Sequence, residues 1–413
     1  MHWLRSLLLV LLCALTLQAA DWPGWLGPRR DGTSSEKVEP WKGDLKVLWR
    51  KPVGPGHSSP VMAGNRVYLH TRVPGQEREQ MAAYDALTGK EIWQSAYDRE
   101  KFSSPFGTGP QATPQFFEGK LYTFGATGIL ACFEADKGEL LWKVPTREKF
   151  KAPSLFFGAA CSPLVDGDQV VVNVGGEGAS VVAFDRHNGM VKWQSLDDKA
   201  SYSSGIIRGQ GQGREYVFLT QQGLRGFAPE TGKKLWDFPL VDKLNESSTT
   251  PVLAGDLILA SSVTFGMVGV KVEPNADGAK TAQRVWFNRE LTCYFSTPIP
   301  VGKEHVYLVT GQATLFNPTS NLHCIEAKTG KVLWTKPRIG KYHAAMLKTG
   351  NDRLLMLTDL GDLVLIQPDP KEYKELARSK VVKGEQIWAH PALVEGKVYF
   401  RDEKELICLE LPK

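Results

Sequence analysis

The 413-residue chain has little cysteine, six in all, and the thiols are poorly spaced for chemistry. Beyond Cys13 they are Cys132, Cys161, Cys293, Cys324 and Cys408, an odd number with no C-x-x-C and no adjacent pair. That pattern supports neither a disulfide framework nor a thiolate zinc site. No apolar run is long enough to cross a hydrocarbon layer of ~30 Å; the longest, Leu7 to Leu17, is eleven residues. The 50 Lys and Arg nearly balance 45 Asp and Glu, and no five basic residues stand in a row, so nucleic acid is not an expected partner. The H-E-x-x-H, G-x-S-x-G and Walker patterns are missing too. Gly209-Gln-Gly-Gln-Gly213 precedes a strand-like segment, where phosphate binding would want a helix, and reads as an elongated hairpin.

What is present is 40 Gly and 25 Pro, spread along the chain with 42% hydrophobic residues, which favours many short strands and turns over long helices. Arg5, the apolar run and Ala19-Ala20 have the order of a secretory signal, expected over residues 1–20. Cys13 lies inside the apolar run behind Leu12, where a lipobox wants a small residue, so a lipid anchor is not expected. The expected location is periplasmic or secreted, with no transmembrane segment after cleavage. Residues 21–44 would form an amino-terminal extension and 45–413 one domain.

The tryptophans reveal a repeat. Trp49, Trp93, Trp142, Trp193, Trp236, Trp286 and Trp334 recur at intervals of 43 to 51 residues, a period that signals a repeat architecture. A common phrase precedes most of them: Asp85-Ala-Leu-Thr-Gly89, Glu134-Ala-Asp-Lys-Gly138, Asp185-Arg-His-Asn-Gly189, Pro229-Glu-Thr-Gly232 and Glu326-Ala-Lys-Thr-Gly330. Physically this is a tight hairpin in which an acidic residue caps the turn and Gly takes a positive φ. Upstream stands Ser or Thr before Pro, as in Ser59-Pro60, Thr113-Pro114, Ser162-Pro163, Thr250-Pro251 and Thr297-Pro298, followed by a second Gly hairpin.

Each unit thus reads as four strands, which predicts an all-β, eight-bladed β-propeller of four-stranded antiparallel blades. The last unit, from Trp388, lacks its Trp strand, and Leu45-Lys-Val-Leu-Trp49 is an orphan Trp strand at the other end. The amino-terminal strand should therefore join the carboxy-terminal blade and close the ring. The indoles read as blade-to-blade packing, and Cys132, Cys324 and Cys408 as small core residues.

The repeated phrase resembles the pyrroloquinoline quinone (PQQ) type of propeller repeat over nearly the whole mature length, and Trp22-Pro-Gly-Trp25-Leu-Gly-Pro28 to Gly32 is similar to the opening of many secreted PQQ-like repeat proteins. The resemblance implies one of two roles. A BamB-like, non-catalytic scaffold would be a monomer without a cofactor, binding a protein or peptide of the cell envelope, or else a small molecule or glycan. A quinoprotein alcohol dehydrogenase would need PQQ and calcium, and the vicinal disulfide of that branch has no counterpart here. The nearest calcium-ligand candidate is Glu177 in Gly175-Gly-Glu-Gly-Ala-Ser180. No catalytic residue is assigned. Residues leading into each first strand should ring the channel mouth, which makes His57, Gln111, Tyr202, Glu246, Tyr294, His343, Trp388 and His390 the candidate binding residues.

Overall fold

A computed structural model describes residues 21–383 and 387–412. The secretory leader expected over residues 1–20 lies outside the described residues. Eight four-stranded antiparallel sheets form a ring. The first blade comprises Val61–Ala63, Arg66–Arg72, Arg78–Asp85 and Glu91–Asp98, from the axis outward. The later blades repeat this order, with innermost strands beginning at Gln115, Leu164, Ile206, Val252, Ile299, Ala344 and Ala392. In the eighth blade the outermost strand is Lys46–Pro52, paired antiparallel with Glu405–Glu410, Trp49 opposite Cys408. Joining the two ends of the chain in one sheet leaves the ring without an open seam.

The outer hairpin explains the choice of residue at its partner positions. Trp93 faces Ala83, Trp142 faces Cys132, Trp193 faces Ala183, Trp236 faces Gly226, Trp286 faces Gly269, and Trp334 faces Cys324. A small residue always lies opposite the indole. The seventh blade inverts this, with Ala377 opposite Leu365. Cysteine serves here as a small apolar filler, and Cys132, Cys161, Cys293, Cys324 and Cys408 are all buried.

Except for Trp236, each of these indoles docks onto the turn of the following blade. Trp49 Nε1 donates to Ala86 O at 3.0 Å, Trp93 to Ala135 O at 3.0 Å, Trp193 to Pro229 O at 2.9 Å and Trp286 to Ala327 O at 2.9 Å. The turn glycine lies flat beneath the ring: a Cβ on Gly232, whose φ is +67°, would stand 2.2 Å from Trp193 Cε3. Glycine is thus required twice, for the backbone conformation and for the close approach. Within the turn, Asp85 Oδ1 accepts Thr88 N at 2.8 Å and Thr88 Oγ1 at 2.7 Å.

The Ser/Thr that precedes the innermost strand links blades around the channel. His390 N donates to Ser59 Oγ, Ser59 N to Thr113 Oγ1, Thr113 N to Ser162 Oγ, and Ser162 N to Ser204 Oγ, at 2.9 to 3.2 Å. A hydroxyl at this position satisfies a buried amide of its neighbour, which an apolar residue could not do.

Residues 21–44 run into the channel. Trp22 forms an antiparallel bridge with Met62 of the first blade, and Pro23 O accepts Phe116 N of the second at 2.6 Å. Arg30 donates to Pro163 O at 2.9 Å and Gly205 O at 3.2 Å, in the third and fourth. Trp25 Nε1 reaches Thr250 Oγ1 of the fifth at 2.9 Å, and Gly32 lies against Ile299 of the sixth. Thr33 pairs with Lys348 of the seventh, and the Trp25 ring sits 4.6 Å from that of His390, leading into the eighth. A segment that touches all eight blades must cross the axis, so it plugs the channel. Further on, Trp41 Nε1 donates to Ser379 Oγ at 2.8 Å, bringing an indole to the one blade that has no Trp in its outer strand.

Candidate binding site

The upper face is the one at which the chain enters each innermost strand. Above the plug lies a cavity of about 100 Å³, floored by Trp25 and lined by Phe106, Phe157, Phe295 and Trp388 among others. These four rings interlock. Phe106 meets Phe157 at 5.3 Å and 69°, Phe157 meets Phe295 at 5.7 Å and 84°, Phe295 meets Trp388 at 5.3 Å and 88°, and Trp388 meets Phe106 at 6.2 Å and 90°. Each edge-to-face contact sets a positive ring edge on a negative face, and four of them close a box. The rings come from loops entering the second, third, sixth and eighth blades, so the box draws on the whole ring.

The candidates from sequence fall around this box. His57, Gln111, Tyr202 and Trp388 line the cavity. His57 Nε2 lies 2.6 Å from Phe106 O, and Gln111 Nε2 donates to Phe157 O at 2.6 Å. Tyr202 Oη accepts Phe157 N at 3.3 Å. All three therefore hold the ring-bearing loops in place. Burial lowers the His57 imidazole to about 4, and the hydrogen bond to the Phe106 carbonyl works the other way; the Glu403 carboxylate lies 3.1 Å from the same nitrogen.

Tyr294 stacks on Phe295 with centroids 3.7 Å apart and donates its hydroxyl to Glu246; burial raises the Glu246 carboxyl. His343 stacks on Trp388 at 5.3 Å and 9°, with its Nε2 2.8 Å from Ile387 O. The loop carrying it is fixed by Asp359, whose Oδ2 accepts Tyr342 N at 2.7 Å. His390 is buried against Trp25, and burial lowers it to about 3, which keeps it neutral at physiological pH. Glu177 is placed elsewhere, exposed on the turn between Gln169–Gly176 and Ala179–Asp185.

No carboxylate lines the cavity among the described residues, and among them no three His, Cys, Asp or Glu gather closely enough to hold a metal ion. The arrangement can stack, enclose and hydrogen-bond a ligand.

Sequence reasoning missed Trp25, Phe106, Phe157 and Phe295. A signal existed for two of them: Phe106-Gly107 and Phe157-Gly158 both sit in long stretches before a Ser/Thr-Pro element. A second cavity, about 710 Å³, lies beneath the plug, lined by Gly27 to Asp31, Phe116, Phe117 and Leu253 among others.

Away from the channel, Glu79 and Arg99 are fully buried as an ion pair, Nη1 to Oε1 at 2.9 Å. The Glu79 carboxylate accepts Tyr97 Oη at 2.8 Å and Ala126 N at 3.0 Å, so it ties the first blade to the second.

The family model described as outer membrane protein assembly factor BamB matches residues 41–103 and 77–336. The chain is 24% identical over 312 residues to the outer membrane protein assembly factor BamB of Burkholderia pseudomallei (strain K96243), covering 72% of this chain and 70% of that one. Among solved structures, the quinohemoprotein alcohol dehydrogenase from Comamonas testosteroni superposes with a TM-score of 0.66 at 14% identity, covering 95% of this chain and 82% of that one. BamB from Moraxella catarrhalis superposes with a TM-score of 0.60 at 13% identity, covering 89% and 98%. At such identities the two structures share the fold with this chain.

Proposed function

The chain belongs to the family of the outer membrane protein assembly factor BamB, and on that basis we propose that it is a non-catalytic binding scaffold of the cell envelope, exported to the periplasm or beyond by its leader. Its aromatic box takes an apolar side chain from a partner protein or peptide, and the ring acts as a monomer without a cofactor. The observation that carries this reading is the lining itself: four interlocked rings over Trp25, with no carboxylate on the wall among the described residues. Apolar walls with a few fixed polar groups suit recognition of a side chain.

A PQQ- and calcium-dependent dehydrogenase is the second reading, and Trp25 speaks for it as a floor on which a planar quinone could stack. The donor set does not fit. Calcium wants six to eight oxygen ligands, whereas Glu177 stands exposed on an outer turn and Glu246 is engaged by Tyr294.

The test is a photo-crosslinking residue in place of Phe156, which is 57% exposed and 4.9 Å from the Phe157 ring. Irradiated cells should yield an adduct with an envelope protein that is lost in Phe106→Ala and Phe295→Ala backgrounds. Absence of an adduct, or one indifferent to those changes, counts against the proposal.

A further inference from the structure

Large apolar side chains exposed on this protein are mostly single, which is ordinary for a soluble surface. The upper face over the fourth to sixth blades departs from that pattern. The connection from Thr310 to Ser320 in the sixth blade carries Leu315 and Phe316 side by side, 72% and 89% exposed. On the same face stand Val241 and Leu244, 50% and 49% exposed, in the loop entering the fifth blade, and Phe287, 42% exposed. Contacts join the last two parts: Lys243 N donates to Thr264 Oγ1 at 2.7 Å, and Phe265 packs edge-to-face on Phe287 at 5.2 Å.

Cations stand around the base of the loop that carries Leu315 and Phe316. Arg338 N bonds Asn321 Oδ1 at 3.0 Å where the loop re-enters the sheet, Lys341 precedes Tyr342, whose carbonyl lies against Gly311, and Arg289 lies close before Thr292, which accepts Gly311 N at 3.0 Å. Arg289, Arg338 and Lys341 are exposed, and none of them makes an ion pair among the described residues. They stand ready to meet negative charge supplied from outside.

We propose that this arc of the upper face docks on an anionic lipid surface, with Leu315 and Phe316 entering the headgroup boundary and the three cations meeting lipid phosphates. A protruding tip favours lipid over protein. A protein hot spot sits in a packed, water-excluding surround, whereas Phe316 at 89% exposure has no surround of its own and fits a yielding interface. Apolar insertion and basic charge reinforce each other at such a boundary. The proposal is independent of what fills the aromatic box, although docking would turn that cavity toward the membrane.

The test is co-sedimentation of the full chain with phosphatidylcholine vesicles, with and without phosphatidylglycerol. Two variants are compared with the parent, so that anything contributed by residues 1–20 is common to all three: Leu315→Ser with Phe316→Ser, and Arg289→Glu with Lys341→Glu. The parent should bind anionic vesicles well above neutral ones. The apolar variant should bind at least tenfold more weakly, and the charge variant roughly fivefold more weakly per cation reversed, each with an unchanged melting temperature. Equal binding of the parent to both vesicle types, no binding, or variants that bind as the parent does would overturn the proposal. So would an apolar variant that keeps its lipid binding while losing a protein partner, since the tip would then be a protein contact.

Discussion

Replacing one docking glycine and one non-docking glycine by alanine separates two costs that are usually confounded. Gly232 and Gly167 both hold a positive φ, +67° and +53°. A Cβ on Gly167 meets nothing within 4 Å, whereas one on Gly232 would lie 2.2 Å from the Trp193 ring. Gly167→Ala should therefore cost only the left-handed backbone penalty, about 1–2 kcal/mol. Gly232→Ala incurs the same penalty and must also lift the indole from its bed, an overpacking cost of about 1–3 kcal/mol. Lifting it strains the 2.9 Å bond from Trp193 Nε1 to Pro229 O. The expected total is about 2–5 kcal/mol, and urea unfolding followed by tryptophan fluorescence and circular dichroism would read the difference between the two variants. Equal losses would refute the claim that these glycines are fixed by blade-to-blade docking as well as by turn geometry.

Further expectations concern other parts of the ring. Trp193→Ala should cost on the order of 3–5 kcal/mol, measured by the same unfolding experiment. Trp193→Phe should cost about 1 kcal/mol more than Trp236→Phe, because Trp236 Nε1 is buried without a hydrogen-bond partner and its removal forfeits none. Glu79→Ala removes the fully buried partner of Arg99 and leaves it the part-exposed Glu77 at 3.2 Å, so it should destabilise by about 3 kcal/mol, the low end for a broken buried pair, seen as a drop in Tm.

Acid should weaken the fold through its neutral histidines. Burial lowers His70 to about 4 and His390 to about 3 from an ordinary value of 6.5. Below pH 6.5 the unfolded chain takes up protons that the folded chain refuses, so stability falls as pH drops from 6.5 toward 4. The slope is about 1.4 kcal/mol per pH unit for each histidine. A pH series of melting curves should show the fall, and His390→Gln should make it shallower.

The ring was legible because its rules are local and repeated. A tight turn, a glycine and an indole recur in register, and the missing Trp strand after Trp388 matches the surplus strand at Trp49, so the closure by Lys46–Pro52 could be anticipated. The second reason for each glycine was hidden, because the indole it supports belongs to the preceding blade and lies 39 to 47 residues away in the pairs Trp142–Gly189, Trp193–Gly232 and Trp93–Gly138.

The site was harder to see. His57, Gln111 and Tyr202 could be placed near the mouth from their position before a first strand, but their task of holding Phe106 and Phe157 depends on loops of irregular length. Trp25 lies outside the repeat altogether. Nothing in its neighbours marks the segment as a plug, since its partners, such as Thr250 and the Pro163 carbonyl that receives Arg30, are scattered over the whole chain.

Reconstitution of the purified chain with PQQ and calcium tests the binding-scaffold account most directly, with quinone absorbance and alcohol- or sugar-dependent dye reduction as the readouts. The account predicts no dye reduction above that of the free quinone and no saturable change in its absorbance. Turnover that requires both PQQ and calcium, and that falls when Trp25 is replaced by Ala, would contradict it.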